Sequence, residues 1–125
     1  MKTKRRVMIA IVVLAMFLIA GQVLAFSYNY NINPLSYAVT PNEPKTGNCN
    51  WGLVTANSVS PSTDLIRVKM EDFNNNQIGP PQDIGQGGTH LFPDSGSCGV
   101  GQLRHFAFNN NYFYNVAISG SWFPG

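Results

Sequence analysis

Apolar and polar residues alternate along much of residues 26–125, and no window there carries the apolar spacing of a helix over three turns. Residues 26–32 (FSYNYNI) alternate aromatic or aliphatic with polar side chains, and in residues 65–73 one face holds Ile66, Val68 and Met70. Successive strand residues point to opposite faces of a sheet, so this is the pattern of half-buried strands. The alternation therefore predicts an all-β fold.

Glycine, proline and asparagine divide the chain into short segments, which favours turns over long elements. Strands are predicted at 26–32, 35–39, 51–59, 65–73, near Ile84, 89–92, 102–108 and 112–122. Seven or eight short strands in about 100 residues predict a small antiparallel β-sandwich or a partly open barrel. The last two segments flank Asn109-Asn110-Asn111, which predicts a hairpin.

The first 25 residues have the three parts of a secretory signal. A basic cluster comes first, formed by Lys2, Lys4, Arg5 and Arg6. An uncharged apolar run at 7–21 follows, and small residues precede a predicted cleavage between Ala25 and Phe26. We therefore expect residues 1–25 to be removed and residues 26–125 to be one secreted domain. The alternative is an uncleaved membrane anchor, although a spanning helix needs about 20 apolar residues.

The charge of the exported part excludes two classes of partner. Half of the eight basic residues lie in the signal, so residues 26–125 carry four basic and six acidic side chains, a net charge of −2. Nucleic-acid binding and recognition of anionic lipids both need clustered lysine and arginine. We expect neither, and we expect membrane contact only through the signal segment unless it stays uncleaved.

Two cysteines, Cys49 and Cys98, are present. In an exported chain a pair of cysteines most simply forms a disulfide. Two separate buried thiols are the alternative. The pair lacks further cysteines or histidines at metal-ligand spacing, so we predict no metal site and no cofactor.

Aromatic residues supply the candidate binding surface. Residues 26–125 hold 14 aromatic side chains and 14 asparagines, more aromatics than one small core obviously needs. Exposed tyrosine and tryptophan beside asparagine suit an extracellular protein or a glycan. The candidates are Tyr28, Tyr30, Tyr112, Tyr114 and Trp122. The alternative is that most of these rings pack inside the sandwich.

Three functional hypotheses remain open at this point. The first is a non-enzymatic secreted protein that binds a cell-surface or extracellular target, with antimicrobial or toxin-like action as its sharpest form. The second is a self-associating component of an extracellular matrix, coat or surface layer, since uncharged strands can pair edge to edge. The third is a small hydrolase using His90 or His105 with an aspartate such as Asp83 or Asp94. No nucleophile motif accompanies these histidines, so we favour the first hypothesis.

Overall fold

A computed structural model describes residues 25–95 and 98–125, which form nine β-strands and no helix. The predicted signal, apart from Ala25, lies outside the described residues. The strands are, in chain order, β1 (Phe26–Ile32), β2 (Tyr37–Val39), β3 (Glu43–Pro44), β4 (Gly52–Ser60), β5 (Ile66–Asp72), β6 (Gln82–Ile84), β7 (Thr89–Phe92), β8 (Leu103–Asn109) and β9 (Val116–Phe123).

The strands form two antiparallel sheets, as the alternation predicts. Sheet 1 has the order β1-β9-β4-β7. Sheet 2 has the order β2-β8-β5-β6, and the two-residue β3 pairs with β8 beside β2. The predicted sandwich of short antiparallel strands is confirmed.

The inward faces of both sheets bury one apolar core. On β5 the three residues expected to share a face, Ile66, Val68 and Met70, are each fully buried. The core residues that the structure leaves with no exposed surface are Val54, Ala56, Ile66, Val68, Met70, Ile84, Phe92, Phe106, Phe108 and Val116. Alternation places such residues on one side of each strand, so burying that side joins the two sheets.

The predicted hairpin at 109–111 is wrong. β8 belongs to sheet 2 and β9 to sheet 1, so the connection crosses from one sheet to the other. β9 also begins at Val116, four residues later than predicted. The buried Asn110 explains this course, because its Nδ2 donates to the carbonyls of Ile32, Asn33 and Tyr114 at 3.0, 3.1 and 2.7 Å. These hydrogen bonds hold the segment between β8 and β9 against the end of β1, so the segment crosses between the sheets and does not form a tight turn.

The disulfide between Cys49 and Cys98 is confirmed. It joins the segment before β4 to the segment before β8, across a sequence separation of 49 residues. The backbone N–H of Cys49 also donates to the carbonyl of Cys98 at 2.6 Å. The covalent link therefore lies where the two loops already meet.

A buried charged cluster, formed by Lys45, Asp94 and Arg104, lies at the same end of the sandwich. The Asp94 Oδ2 is 2.9 Å from Lys45 Nζ and 3.0 Å from Arg104 Nε, and all three side chains are at most 2 % exposed. Lys45 Nζ also donates to the carbonyls of Asn50 and Pro124 at 2.6 and 3.0 Å. Asp94 and Lys45 therefore join the loop after β7 to strand β8, to the loop between β3 and β4 and to the segment after β9.

Among the described residues, none belongs to a helix that is long and apolar enough to span a bilayer.

Candidate binding surfaces

Two of the five predicted binding aromatics are core residues, which corrects that assignment. Tyr28 is 6 % exposed and Trp122 is 2 % exposed, so neither ring is accessible to a ligand. Tyr28 lies opposite Gly120 in the β1–β9 pairing, and its hydroxyl donates to the Thr55 carbonyl at 2.9 Å. A side chain at Gly120 would collide with that carbonyl. Because Gly120 has no side chain, there is room for the buried ring of Tyr28 and its hydrogen bond.

Tyr30 is half-buried and faces the core edge. Its ring packs against Phe108 with centroids 5.7 Å apart, and its hydroxyl donates to the Val39 carbonyl at 3.3 Å. The alternative considered from the sequence, that most rings pack inside, therefore describes the three candidates on β1 and β9, which are Tyr28, Tyr30 and Trp122.

The two remaining candidates, Tyr112 and Tyr114, lie together at one end of the sandwich. Their rings stack with centroids 5.2 Å apart. Around them are exposed apolar side chains from the loops that follow β1, precede β5 and precede β9. We call this surface the aromatic pole; it consists of Leu35 (61 % exposed), Leu65 (50 %), Tyr112 (half-buried), Phe113 (83 %) and Tyr114 (44 %).

Hydrogen bonds between the loops hold the aromatic pole in place. The Tyr112 carbonyl accepts from the Leu35 N–H at 3.1 Å, and the Tyr112 hydroxyl accepts from the Leu65 N–H at 3.1 Å. Asn110 Oδ1 accepts from the Tyr112 N–H at 2.9 Å. The exposed side chains therefore project from a fixed base, which lowers the entropy lost on binding.

An acidic side chain, Asp64, lies beside the aromatic pole and is already hydrogen-bonded to it. The Tyr114 hydroxyl donates to Asp64 Oδ2 at 2.6 Å, and Asp64 is only 7 % exposed. This hydrogen bond to the carboxylate, with some loss of solvation, raises the pKa of Tyr114 to about 12. The phenol thus stays protonated at neutral pH, and the outer surface of the pole is apolar and uncharged.

The sequence patterns missed three members of the aromatic pole. Leu35, Leu65 and Phe113 were assigned to the predicted strands 35–39, 65–73 and 112–122. All three instead lie in loops outside the strands. A weak signal was present, because each is a bulky apolar residue within two positions of proline, aspartate or asparagine, which favour turns.

A second surface lies on both sides of the Asn74-Asn75-Asn76 turn, where two open clefts meet sheet 2. We call them the amide clefts. The larger has a volume of about 650 Å³ and includes Phe73, Asn74, Asn76, Gln77 and Gln102 in its lining. The smaller has a volume of about 330 Å³ and is lined by Tyr37, Val39, Lys69, Glu71, Asn75, Ala107 and Asn109.

The turn between the clefts is held by Asp72. Its Oδ1 accepts from the backbone N–H of Asn74 and Asn76 at 2.9 and 3.0 Å, and Asn75 takes a left-handed φ of 63°. The bond from Asn76 is the main cause that lowers the pKa of Asp72. Asparagine tolerates the left-handed region better than most residues, as expected for this turn.

Both histidines lie in strands, and both ring nitrogens of His105 have hydrogen-bond partners. Its Nδ1 lies 2.7 Å from Asn42 Oδ1 and its Nε2 lies 2.9 Å from Glu71 Oε1, so neither ring nitrogen points at a serine hydroxyl. His90, half-buried, lies on β7 opposite Val54.

The aspartates suggested as partners for these histidines pair elsewhere. Asp83 bonds Arg67 at 3.0 Å, and Asp94 lies in the buried charged cluster. A hydrolase built on these histidines gains no support from this arrangement.

No protein-family model and no curated protein sequence matches this chain. Within residues 25–95 and 98–125, no group of three or more histidine, cysteine, aspartate or glutamate side chains is placed to hold a metal ion.

Proposed function

We propose that this protein acts outside the cell as a non-enzymatic binding domain whose aromatic pole contacts a cell-surface or extracellular target. Antimicrobial or toxin-like action on bacterial cells is the sharpest form of the proposal. The signal-like segment 1–25 and the disulfide support an extracellular setting.

The observation that carries the proposal is the exposure of the aromatic pole. Phe113 is 83 % exposed and Leu35 is 61 % exposed, on loops that are hydrogen-bonded to one another. Monomeric proteins rarely expose contiguous apolar surface of this kind unless it serves binding. Aromatic side chains dominate the energetics of interfaces when a partner covers them.

A triple variant, Leu35→Ser, Leu65→Ser and Phe113→Ser, tests the proposal. The side chains are 50–83 % exposed, so we expect the melting temperature to stay near that of the parent protein. We expect cell-surface binding, measured with labelled protein on bacterial cells, to weaken by at least about tenfold, since burial of each apolar side chain contributes roughly 1.5 kcal/mol or more.

The matched control replaces apolar residues of similar exposure elsewhere. Leu91→Ser and Val100→Ser change side chains that are 53 % and 61 % exposed but lie outside the aromatic pole, and we expect them to bind as the parent does. Equal losses in both sets of variants, or a parent protein that neither binds cells nor slows their growth, would rule out the proposal.

A structural role is the second candidate, and strand β1 is the observation that favours it. β1 lies at the edge of sheet 1, and among the described strands only β9 pairs with it. It is seven residues long and uncharged, whereas the other sheet edges are held by strands of two to four residues. Long uncharged edges favour pairing with another chain.

Self-association through β1 predicts a molar mass that rises with protein concentration in light scattering. Asn29→Lys with Asn31→Lys places two charges on this edge strand, and we expect the variant to stay monomeric. Ser58→Lys on β4, inside the same sheet, is the control and is expected to assemble as the parent does. A parent protein that remains monomeric at millimolar concentration removes the structural candidate.

A further inference from the structure

We propose that the two amide clefts form one binding site for a neutral oligosaccharide. This site is separate from the aromatic pole, because the clefts are lined by strands of sheet 2 and the loops after β5 and before β8, and neither lining contains a residue of the pole. The inference thus goes beyond the proposed function and is tested independently of it.

Each cleft presents one exposed aromatic ring. Phe73 in the larger cleft is 64 % exposed, and Tyr37 in the smaller cleft is 66 % exposed. The C–H faces of a pyranose ring are apolar and stack on aromatic rings, whose burial supplies a large contact area. One ring in each cleft therefore provides a platform for one sugar unit on either side of the turn.

The remaining lining is rich in side-chain amides. Asn74, Asn76, Gln77 and Gln102 line the larger cleft, and Asn75 and Asn109 line the smaller one. A primary amide has two donors and an accepting oxygen, which suits the mixed donor and acceptor character of sugar hydroxyls.

Several of these amides are available to a ligand. Within the described part of the chain, the side chains of Asn74, Asn75 and Gln102 make no hydrogen bond to protein. The Gln77 amide donates through Nε2 to the Gly79 carbonyl at 2.9 Å, which leaves its oxygen to accept.

The charges of the clefts cancel, which favours a neutral ligand. Lys69 and Glu71 line the smaller cleft, and Asp72 and Arg104 line the larger one. Glu71 already accepts from His105, and Asp72 accepts the backbone N–H groups of the turn. Neither cleft thus offers the cluster of cationic groups that recognition of an acidic polysaccharide requires.

The size and division of the site favour a chain of sugars over a single one. Volumes of about 650 and 330 Å³ fall in the range of small-ligand sites. Asn75 faces the smaller cleft while Asn74 and Asn76 line the larger one, so a linear ligand that fills both must pass over the turn.

Calorimetry with defined oligomers tests the inference. The probes are the hexamers of β-1,4-linked glucose and N-acetylglucosamine, their dimers, and a polygalacturonate hexamer as an acidic probe. We expect at least one neutral hexamer to bind, its dimer to bind at least about tenfold more weakly, and the acidic hexamer not to bind. Binding of neither neutral hexamer, dimer affinity equal to hexamer affinity, or preference for the acidic hexamer would each overturn the proposal.

Variants locate the binding. Tyr37→Ala and Phe73→Ala remove exposed rings, so both are expected to keep the parent's melting temperature and to raise Kd about five- to tenfold each. Phe113→Ala removes a ring of the aromatic pole and is expected to leave oligosaccharide binding unchanged. A rise in Kd in Phe113→Ala equal to that in the cleft variants would contradict this location. Since Phe113 belongs to the surface of the proposed function, failure of one proposal leaves the other standing.

Discussion

Replacing Asp94 with asparagine is expected to lower the free energy of unfolding by about 3–5 kcal/mol, because it leaves two buried cations without the carboxylate they share. The Asp94 side chain is fully buried, and Lys45 and Arg104 are at most 2 % exposed. Small domains have a free energy of unfolding of about 5–15 kcal/mol, so this single change removes a large share of the stability. Urea denaturation at pH 7 measures it.

The Asp94 carboxylate also makes the free energy of unfolding depend on pH in the acidic range. Burial alone would raise the pKa of Asp94, but hydrogen bonds and charges from Arg104 and Lys45 outweigh it and lower the pKa below its ordinary value. The native state therefore binds this proton more weakly than the unfolded chain does. Its stabilisation is present above the ordinary carboxyl pKa of about 3.9 and disappears as the pH falls through the lower native pKa.

An exposed ion pair is the control for Asp94. Asp83 pairs with Arg67 at 3.0 Å, but both side chains are more than two-fifths exposed. Asp83→Asn is therefore expected to change the free energy of unfolding by about 1 kcal/mol or less. If Asp83→Asn and Asp94→Asn destabilise the protein equally, or if Asp94→Asn retains the parent's full loss of stability in acid, the role assigned to the buried charged cluster is wrong.

Replacing both Cys49 and Cys98 with serine is expected to lower the free energy of unfolding by about 4 kcal/mol. The disulfide closes a loop with a sequence separation of 49 residues, and a cross-link stabilises mainly by restricting the unfolded chain. Because the Cys49 N–H still bonds the Cys98 carbonyl, we expect the native fold to persist in the variant. Denaturant unfolding with circular dichroism measures both the loss and the retained strand content.

Reduction of the parent protein provides the matched comparison for the cysteine variant. The parent in excess dithiothreitol should unfold at the same denaturant concentration as the double serine variant, since both lack the cross-link. A double variant as stable as the oxidised parent would show that the bond contributes nothing to stability.

The features that depend on local alternation of apolar and polar residues could be predicted from the sequence. Ile66, Val68 and Met70 were expected on one face of a strand and are all buried, because strand residues alternate whatever their partners are. The pairing of the cysteines was also predictable, since an exported chain with two of them has one intramolecular choice.

Long-range contacts explain what the sequence could not predict. The arch before β9 depends on Asn110, whose three carbonyl partners include two at the end of β1. The burial of Lys45 depends on Asp94, which lies far along the chain, and a lone lysine is ordinarily an exposed residue. The aromatic pole likewise forms only where three loops meet, because Leu35 and Leu65 lie far in the sequence from the consecutive Tyr112, Phe113 and Tyr114.

The pairing of β1 with β9 has a consequence for when the protein can fold. β1 has no described strand partner except β9, and the chain between them builds the other seven strands. Contacts between residues so distant in sequence form slowly, because the entropy of a long loop is lost before they add stability. Strand β1 can therefore join sheet 1 only after β9 has been synthesised. Until then β1 remains an unpaired strand of the nascent chain.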